Sequence, residues 1–355
     1  MNKINYMLIP LGLFTIFEAG SWANVSAQAM TPTHLATAQH SVNKRTSRIS
    51  LHDELIGVSA SAVMGNTNLL INQINKAKIT SVSLPMNVKG FQTAINGNLA
   101  YVPTQQGKTF VVNLQTHHVI SSFHSTIGAQ YANISNPLHL LIITGKKSVT
   151  AYSLATRKPQ WQVPVGGNTM AIAGNYAYLS SNSMKNTKVI DLKSGKIVTS
   201  IPVGMIEDSV YDPQMNTIWL ANWGNGDMTV VNAKTNKIIK VIRKKEGGGY
   251  TMNDMNNMMM ATSGYMQLAL GPHGKHVYAA SFSSHIMVFN AVKNSFEKDI
   301  STIQMAMLSG LAVDPSGQYA YTTVDNMNET IAVSLKSGKV VATYPGVASY
   351  RWTSL

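Results

Sequence analysis

A short phrase of apolar and polar positions recurs seven times along this chain. It runs apolar, any residue, then Asn, Asp or Ser, followed by a Lys-, Gly- or Asn-bearing turn and a further apolar strand. The anchors are Asn72, Asn113, Ser153, Asp191, Asn232, Asn290 and Ser334, spaced 41, 40, 38, 41, 58 and 44 residues apart. Each later repeat holds a second strand centred on a large side chain: Tyr101, Leu141, Tyr178, Trp219, Tyr278 and Tyr321. Turns rich in Gly, Asn and Pro precede most of these, such as Asn96-Gly97-Asn98 and Asp314-Pro315-Ser316-Gly317. Those residue types supply the backbone angles of tight turns. Four short strands in about 40 residues, repeated around a chain, are the sequence of a propeller blade.

The pattern therefore predicts an all-β, seven-bladed β-propeller of four-stranded antiparallel blades over residues 51–355. Six units are complete between about 85 and 343, and residues 54–85 supply three strands of another. The tail 346–355 is expected to be its innermost strand, closing the ring between the two ends of the chain and removing exposed sheet edges.

With the repeat on the page, the chain resembles the YVTN-type propellers, exported proteins with repeats of about 40 residues. The likeness rests on Leu192-Lys193-Ser194-Gly195-Lys196 and its counterpart Leu335-Lys336-Ser337-Gly338-Lys339. It rests also on the Tyr and Trp anchors, and on Val313-Asp314-Pro315-Ser316-Gly317 ahead of Tyr321. No unit carries the naming tetrapeptide; the nearest begin Tyr101-Val102 and Tyr321-Thr322. The resemblance implies the fold and brings no catalytic set with it.

The first 29 residues read as a signal peptide. Lys3 is followed by a mostly apolar run from Tyr6 to Phe17 and by the small–x–small sequence Ala27-Gln28-Ala29. That run suits a signal core and is too short to span a bilayer. Residues 30–50 are a polar, patternless leader. No later stretch reads as transmembrane, and the chain has no Cys, hence no disulfide or thiolate site. The expected location is periplasmic or extracellular, and the expected state monomeric.

The charge is unbalanced in a particular way. There are 28 Lys and Arg against 15 Asp and Glu, yet charged residues total only 12%, about half of the usual share near 25%. The basic excess comes from missing acids, and the linear clusters (Arg243-Lys244-Lys245 among them) are thin. This argues against nucleic acid as a partner. Few carboxylates suit exposure to acid, because ionised-state stabilisation is lost when they are protonated.

The long interval of 58 holds an insertion at about 244–262, containing Met252-x-x-Met255-x-x-Met258. Long loops often carry function. This one falls at a junction between blades, on the face where the second-to-third strand loops also emerge. Setting aside Met1, Met7 and Met30, fifteen of the other seventeen Met map to that face, among them Met266, Met305 and Met307; Met215 and Met287 fall elsewhere. Thioether sulfur is a soft ligand suited to Cu(I), and it keeps its lone pairs in acid where His is protonated. The same Met-rich rim also suits a hydrophobic ligand or a protein partner.

Other candidates at the channel mouth are Glu207 and Asp208, as an acid–base or Ca²⁺ pair, His285, and Arg351 as an anion site or as a structural partner of those carboxylates. Neighbours on a strand point to opposite faces, which argues against joint action by Glu207 and Asp208. The Ala151…Thr156…Trp161 spacing resembles the tryptophan-docking motif of quinone-dependent propellers, but it occurs once and Arg157 stands where Gly is usual, so it reads as blade packing. The leading expectation is a non-enzymatic binding or scaffold propeller. A lactonase- or quinoprotein-type enzyme and a cell-envelope interaction protein are the alternatives.

Overall fold

The computed structural model describes residues 55–63, 66–73, 78–84, 92–223, 225–243 and 264–354, within one compact unit, Arg48–Leu355. The expected signal peptide and leader, and the insertion with Met252, Met255 and Met258, lie outside the described residues.

Strands β1 (Leu55–Val63), β2 (Asn66–Gln73) and β3 (Lys78–Ser83) form a three-stranded sheet. Six four-stranded antiparallel meanders follow. Sheet 1 holds β4 (Ala94–Asn96), β5 (Leu99–Pro103), β6 (Lys108–Asn113) and β7 (His118–His124). Sheet 2 holds β8 (Ala129–Ser135), β9 (Leu140–Gly145), β10 (Val149–Ser153) and β11 (Pro159–Val163). Sheet 3 holds β12 (Thr169–Ala173), β13 (Tyr176–Ser180), β14 (Thr187–Asp191) and β15 (Lys196–Ile201). Sheet 4 holds β16 (Ile206–Asp212), β17 (Thr217–Asn222), β18 (Met228–Asn232) and β19 (Ile238–Ile242). Sheet 5 holds β20 (Tyr265–Leu270), β21 (His276–Ser281), β22 (His285–Asn290) and β23 (Ser295–Ser301). Sheet 6 holds β24 (Leu308–Val313), β25 (Tyr319–Val324), β26 (Glu329–Ser334) and β27 (Val340–Pro345).

The first strands of successive sheets lie against one another, from β4 through β24, and β24 meets β1. They are largely buried, whereas outer strands such as β15 and β19 are largely exposed. This is a propeller arrangement of four-stranded antiparallel sheets. Two ends are distinguishable. The turn face carries the first-to-second and third-to-fourth strand turns of each sheet, and the junction face carries the second-to-third loops and the sheet-to-sheet junctions.

The repeated phrase is a turn device. Each anchor of sheets 1 to 6 ends the third strand and accepts backbone N–H groups just downstream. Asn113 Oδ1 takes Gln115 and Thr116 at 2.9 Å, Asn232 Oδ1 takes Lys234 and Thr235 at 2.9 Å, and Ser334 Oγ takes Ser337 at 3.3 Å. Four residues past the anchor the chain turns left-handed, at His117, Arg157, Gly195, Asn236, Asn294 and Gly338. That conformation favours Gly and Asn. The residue after the anchor ties back to its own sheet: Leu114, Leu154, Leu192, Ala233, Ala291 and Leu335 each donate N–H to a carbonyl of the first-to-second strand turn.

The second-strand anchors fill the spaces between sheets. Tyr178, Trp219 and Tyr321 are fully buried; the first two pack toward the following sheet, and Tyr321 packs with Tyr344 and with Val347 of the tail. Tyr178 also donates its hydroxyl to the Ala233 carbonyl of sheet 4 at 2.8 Å and lies 2.6 Å from Asn236 Oδ1. In sheet 2 the equivalent position is Ile142, not Leu141. Ile142 pairs with Ala151, two before its anchor, and packs toward sheet 3, while Leu141 faces sheet 1. Side chains alternate along a strand, so a slip of one residue exchanges the faces. Trp161 stitches sheets as expected: its indole donates to the Leu192 carbonyl at 2.8 Å and lies against Gly195, where a Cβ would approach it to 2.7 Å.

Candidate functional site

The first strands repeat one hydrogen-bonding device around the axis. A side chain on one strand accepts an N–H from the first strand of the next sheet. Thr169 Oγ1 takes Ser209 N at 3.1 Å, Asp208 Oδ2 takes Leu268 N at 2.8 Å, and Gln267 Oε1 takes Leu311 N at 2.8 Å. In sheet 6 the equivalent residue is Gly310, which has no side chain to continue the chain of bonds. An added Cβ there would stand 2.3 Å from the Ser349 carbonyl oxygen and 2.7 Å from Trp352. Gly310 is small because the C-terminal tail passes over it.

The tail docks through side chains rather than by forming a strand ladder. Gln267 donates to the Trp352 carbonyl (2.5 Å) and accepts its N–H (2.9 Å), so one carboxamide serves as a peptide unit would. Thr323 Oγ1 donates to the Ser349 carbonyl at 2.7 Å, the Trp352 indole donates to Thr323 Oγ1 at 3.1 Å, and Thr353 Oγ1 donates to the Thr93 carbonyl at 2.8 Å. Trp352 packs with Leu70 and Ala312. The tail thus touches sheets 1, 5 and 6 and the three-stranded sheet. The repeat predicted seven four-stranded blades; among the described residues the structure has six four-stranded sheets together with a three-stranded sheet, and the tail contributes an isolated bridge at Thr353 rather than a fourth strand.

Arg351 carries the tail across to sheet 4. Its side chain is 3% exposed, and its guanidinium reaches Asp208 Oδ1 at 2.7 Å, Glu207 Oε1 at 3.3 Å and the Glu207 carbonyl at 2.7 Å. Tyr350 donates to Glu207 Oε1 at 3.0 Å, and Asn182 donates to Glu207 Oε2 at 3.0 Å. The pairing register of β16 with β17 slips between Ile206 and Asp208. This bulge turns both carboxylates toward one cation, correcting the expectation that alternation keeps them apart.

Burial raises the Glu207 pKa, opposed by Arg351, Tyr350 and Asn182. Burial also works against the Arg351 charge, but Asp208 and Glu207 outweigh it and hold the guanidinium protonated. Arg351 is therefore the structural partner of Glu207 and Asp208, not an open anion site. Beside Tyr350 lies Asp325, whose carboxyl burial pushes up to about 6 against a hydrogen bond from Ser309 Oγ (2.7 Å).

A cavity of about 490 Å³ opens on the turn face, with the buried Met170 in its lining. Its wall includes Tyr131, Asn133, Ser135, Ser209 and Tyr211, with the turn residues Pro137, Gly174 and Pro213 at its edge. Tyr131 lies close enough to Asp208 and Arg351 to feel both charges, so the inner end of the cavity abuts the buried ion network.

On the junction face the methionines divide. Met170 and Met228 are fully buried in the core, because short loops leave strand-end residues facing the neighbouring sheet, and Met266, inside β20, is buried too. Met205, Met305 and Met327 are exposed, and Met184 and Met307 half-buried. Met205 and Met305 sit at junctions in the left-handed conformation, with φ of 55° and 61°, each four residues past the fourth strand, where the β7–β8 junction places Gly128. Met205 N–H bonds the Met184 carbonyl at 2.8 Å just as Gly128 N–H bonds that of Gln105 at 2.7 Å. The conformation costs a non-glycine residue about 1–2 kcal/mol. Both side chains are about half exposed, at 47% and 49%. Asn326 holds the second junction, donating to the Met305 carbonyl and accepting Met307 N–H, both at 2.9 Å.

His285 lies outside this cluster. It pairs with Asp299 at 3.1 Å, and burial lowers its pKa against that carboxylate. Among the described residues no group of three or more His, Asp or Glu is arranged to hold a metal ion, and no helix is long and apolar enough to cross a membrane. No protein-family model matches the chain, and no curated protein does.

Proposed function

We propose that this chain is an exported, non-enzymatic binding propeller of YVTN type, acting in the periplasm or outside the cell. In this reading the three-stranded sheet and the tail together make the seventh blade, and the Met-rich junction face holds its ligand. The observation that carries the reading is the pair Met205 and Met305. Each displays a half-exposed thioether from a backbone conformation that the same junction elsewhere assigns to Gly. Backbone strain kept at an exposed apolar residue marks a position selected for its side chain rather than for the fold.

Cu(I) is the ligand whose chemistry fits a thioether rim, with Met252, Met255 and Met258 of the insertion as its ligands and the rim around them. A protein partner with an apolar surface is the second occupant of the same face. The turn-face cavity, walled by hydroxyls, amides and apolar groups, also suits a binding role. Competition with a chromophoric Cu(I) chelator under reducing conditions tests the metal reading. One equivalent bound tighter than micromolar, and lost when Met252, Met255 and Met258 become Leu, is the expected result. Binding that survives that triple substitution removes the insertion from the site.

A further inference from the structure

The lysines that look scattered in the sequence are gathered by the fold onto one end of the molecule. In the third-to-fourth strand turns, Lys193, Lys234 and Lys336 stand two residues past their anchors, and Lys293 three past. Lys158, Lys196, Lys237 and Lys339 stand five past, where the fourth strand begins. All eight are exposed. The anchor hydrogen bonds that fix the turns fix several of these residues directly: Lys193 N on Asp191 at 3.0 Å, Lys234 N on Asn232 at 2.9 Å and Lys293 N on Asn290 at 2.9 Å.

The acids at this end are fewer than the lysines: Asp191, Asp212 and Asp314, each accepting turn N–H groups, and Glu297, which pairs with His276 at 3.3 Å. At the junction face, by contrast, the described loops carry Lys146, Lys147, Lys185 and Arg243 against Asp227 and Asp325. The positive excess of the described chain is thus concentrated on the turn face.

We propose that the turn face docks onto an anionic lipid bilayer. The basic turns belong to five different sheets arranged around the axis. A linear polyanion reaches only neighbouring turns, whereas a planar charged surface reaches all of them together. Juxtamembrane lysines act additively in this way, each adding attraction to anionic lipid within a Debye length of the surface. Val292, 59% exposed beside Lys293, supplies an apolar tip at the same level. Docked so, the protein points Met205, Met305 and Met327 away from the membrane.

Sedimentation of the mature protein with vesicles tests this, using phosphatidylcholine alone and phosphatidylcholine mixed with phosphatidylglycerol. Binding is expected only to the mixed vesicles and is lost at high salt. Lys193→Gln, Lys234→Gln and Lys336→Gln together weaken it by on the order of a hundredfold. Lys146→Gln with Lys147→Gln, at the other face, leaves it within about threefold. A Val292→Trp variant shows blue-shifted emission on the same vesicles. Failure to sediment with the mixed vesicles overturns the proposal, as does equal weakening by both sets of substitutions. Binding to soluble heparin without binding to vesicles overturns it too, assigning the face to a polymer.

Discussion

Arg351 and Glu207 stand 144 positions apart in the chain, yet the guanidinium reaches both the side chain of Glu207 at 3.3 Å and its carbonyl at 2.7 Å. With Asp208 as the second carboxylate, a single tail residue fastens the C-terminus to sheet 4 across the axis. The electrostatics make this contact hard to remove piecemeal. Replacing Arg351 by Met leaves two buried carboxylates without a cation. The expected cost is about 3–5 kcal/mol, read as a loss in urea midpoint. Adding Glu207→Gln and Asp208→Asn to Arg351→Met restores a large part of that loss, because the unpaired charges are gone.

Gly310 is required by the tail rather than by backbone angle. Gly310→Ala places a methyl 2.3 Å from the Ser349 oxygen, a backbone atom that no change of rotamer can move aside. The tail shifts off its seat, the Trp352 indole leaves Thr323, and stability falls by about 1–3 kcal/mol. Tryptophan emission moves to the red. A variant with unchanged emission and midpoint would show that Gly310 is not the seat of the tail.

Acid strengthens the fold rather than dissolving it. Burial raises the carboxyl pKa values of Glu207, Asp212, Asp325 and Glu329. A carboxyl raised in the folded state binds its proton there first, so it favours folding fully below its unfolded pKa and loses that contribution as pH rises through the folded one. For Asp325, at about 6 against an ordinary 3.8, the difference is about 3 kcal/mol. His285 acts the other way: its lowered pKa gives stability that fades as pH falls below its ordinary 6.5. Asp191, lowered by its turn N–H bonds, loses its small contribution at lower pH still. The unfolding temperature is expected to rise between pH 7 and pH 4.5, and Asp325→Asn to flatten that rise.

Tyr178 tests the stitching between sheets. Tyr178→Phe keeps the buried ring and removes the hydroxyl that reaches Ala233 and Asn236. Stability drops by about 1–2 kcal/mol, as for a buried hydrogen bond whose carbonyl partner is left unpaired. Tyr211→Phe, on an exposed bond to Asn216, changes it by a few tenths.

Much of this architecture was readable from the chain, because local rules govern it. The anchors Asn113 to Ser334 announced turns that their own side chains close, and Tyr101, Tyr178, Trp219, Tyr278 and Tyr321 announced buried second strands. The failures came where geometry departs from those rules. An all-apolar strand gives no phase, so the sequence does not tell Leu141 from Ile142. A bulge leaves no mark in composition, so alternation alone separates Glu207 from Asp208. A strand end and a loop differ by one or two residues, so the sequence maps the buried Met170 and Met228 to the rim. The basic face was invisible because its lysines meet only after the repeat has closed on itself. The buried role of Arg351 had one signal, a lone cation near the terminus opposite two adjacent acids, and that signal read equally as an open site.

The pH dependence of Cu(I) affinity tests the proposed thioether rim most directly, measured by chelator competition on the mature protein at pH 7 and pH 4. Thioethers do not titrate in this range, whereas imidazole does. Affinity tighter than micromolar, unchanged within about threefold between the two pH values, is the predicted result. Affinity that collapses below pH 6, or the lack of any Cu(I) binding tighter than micromolar, contradicts it.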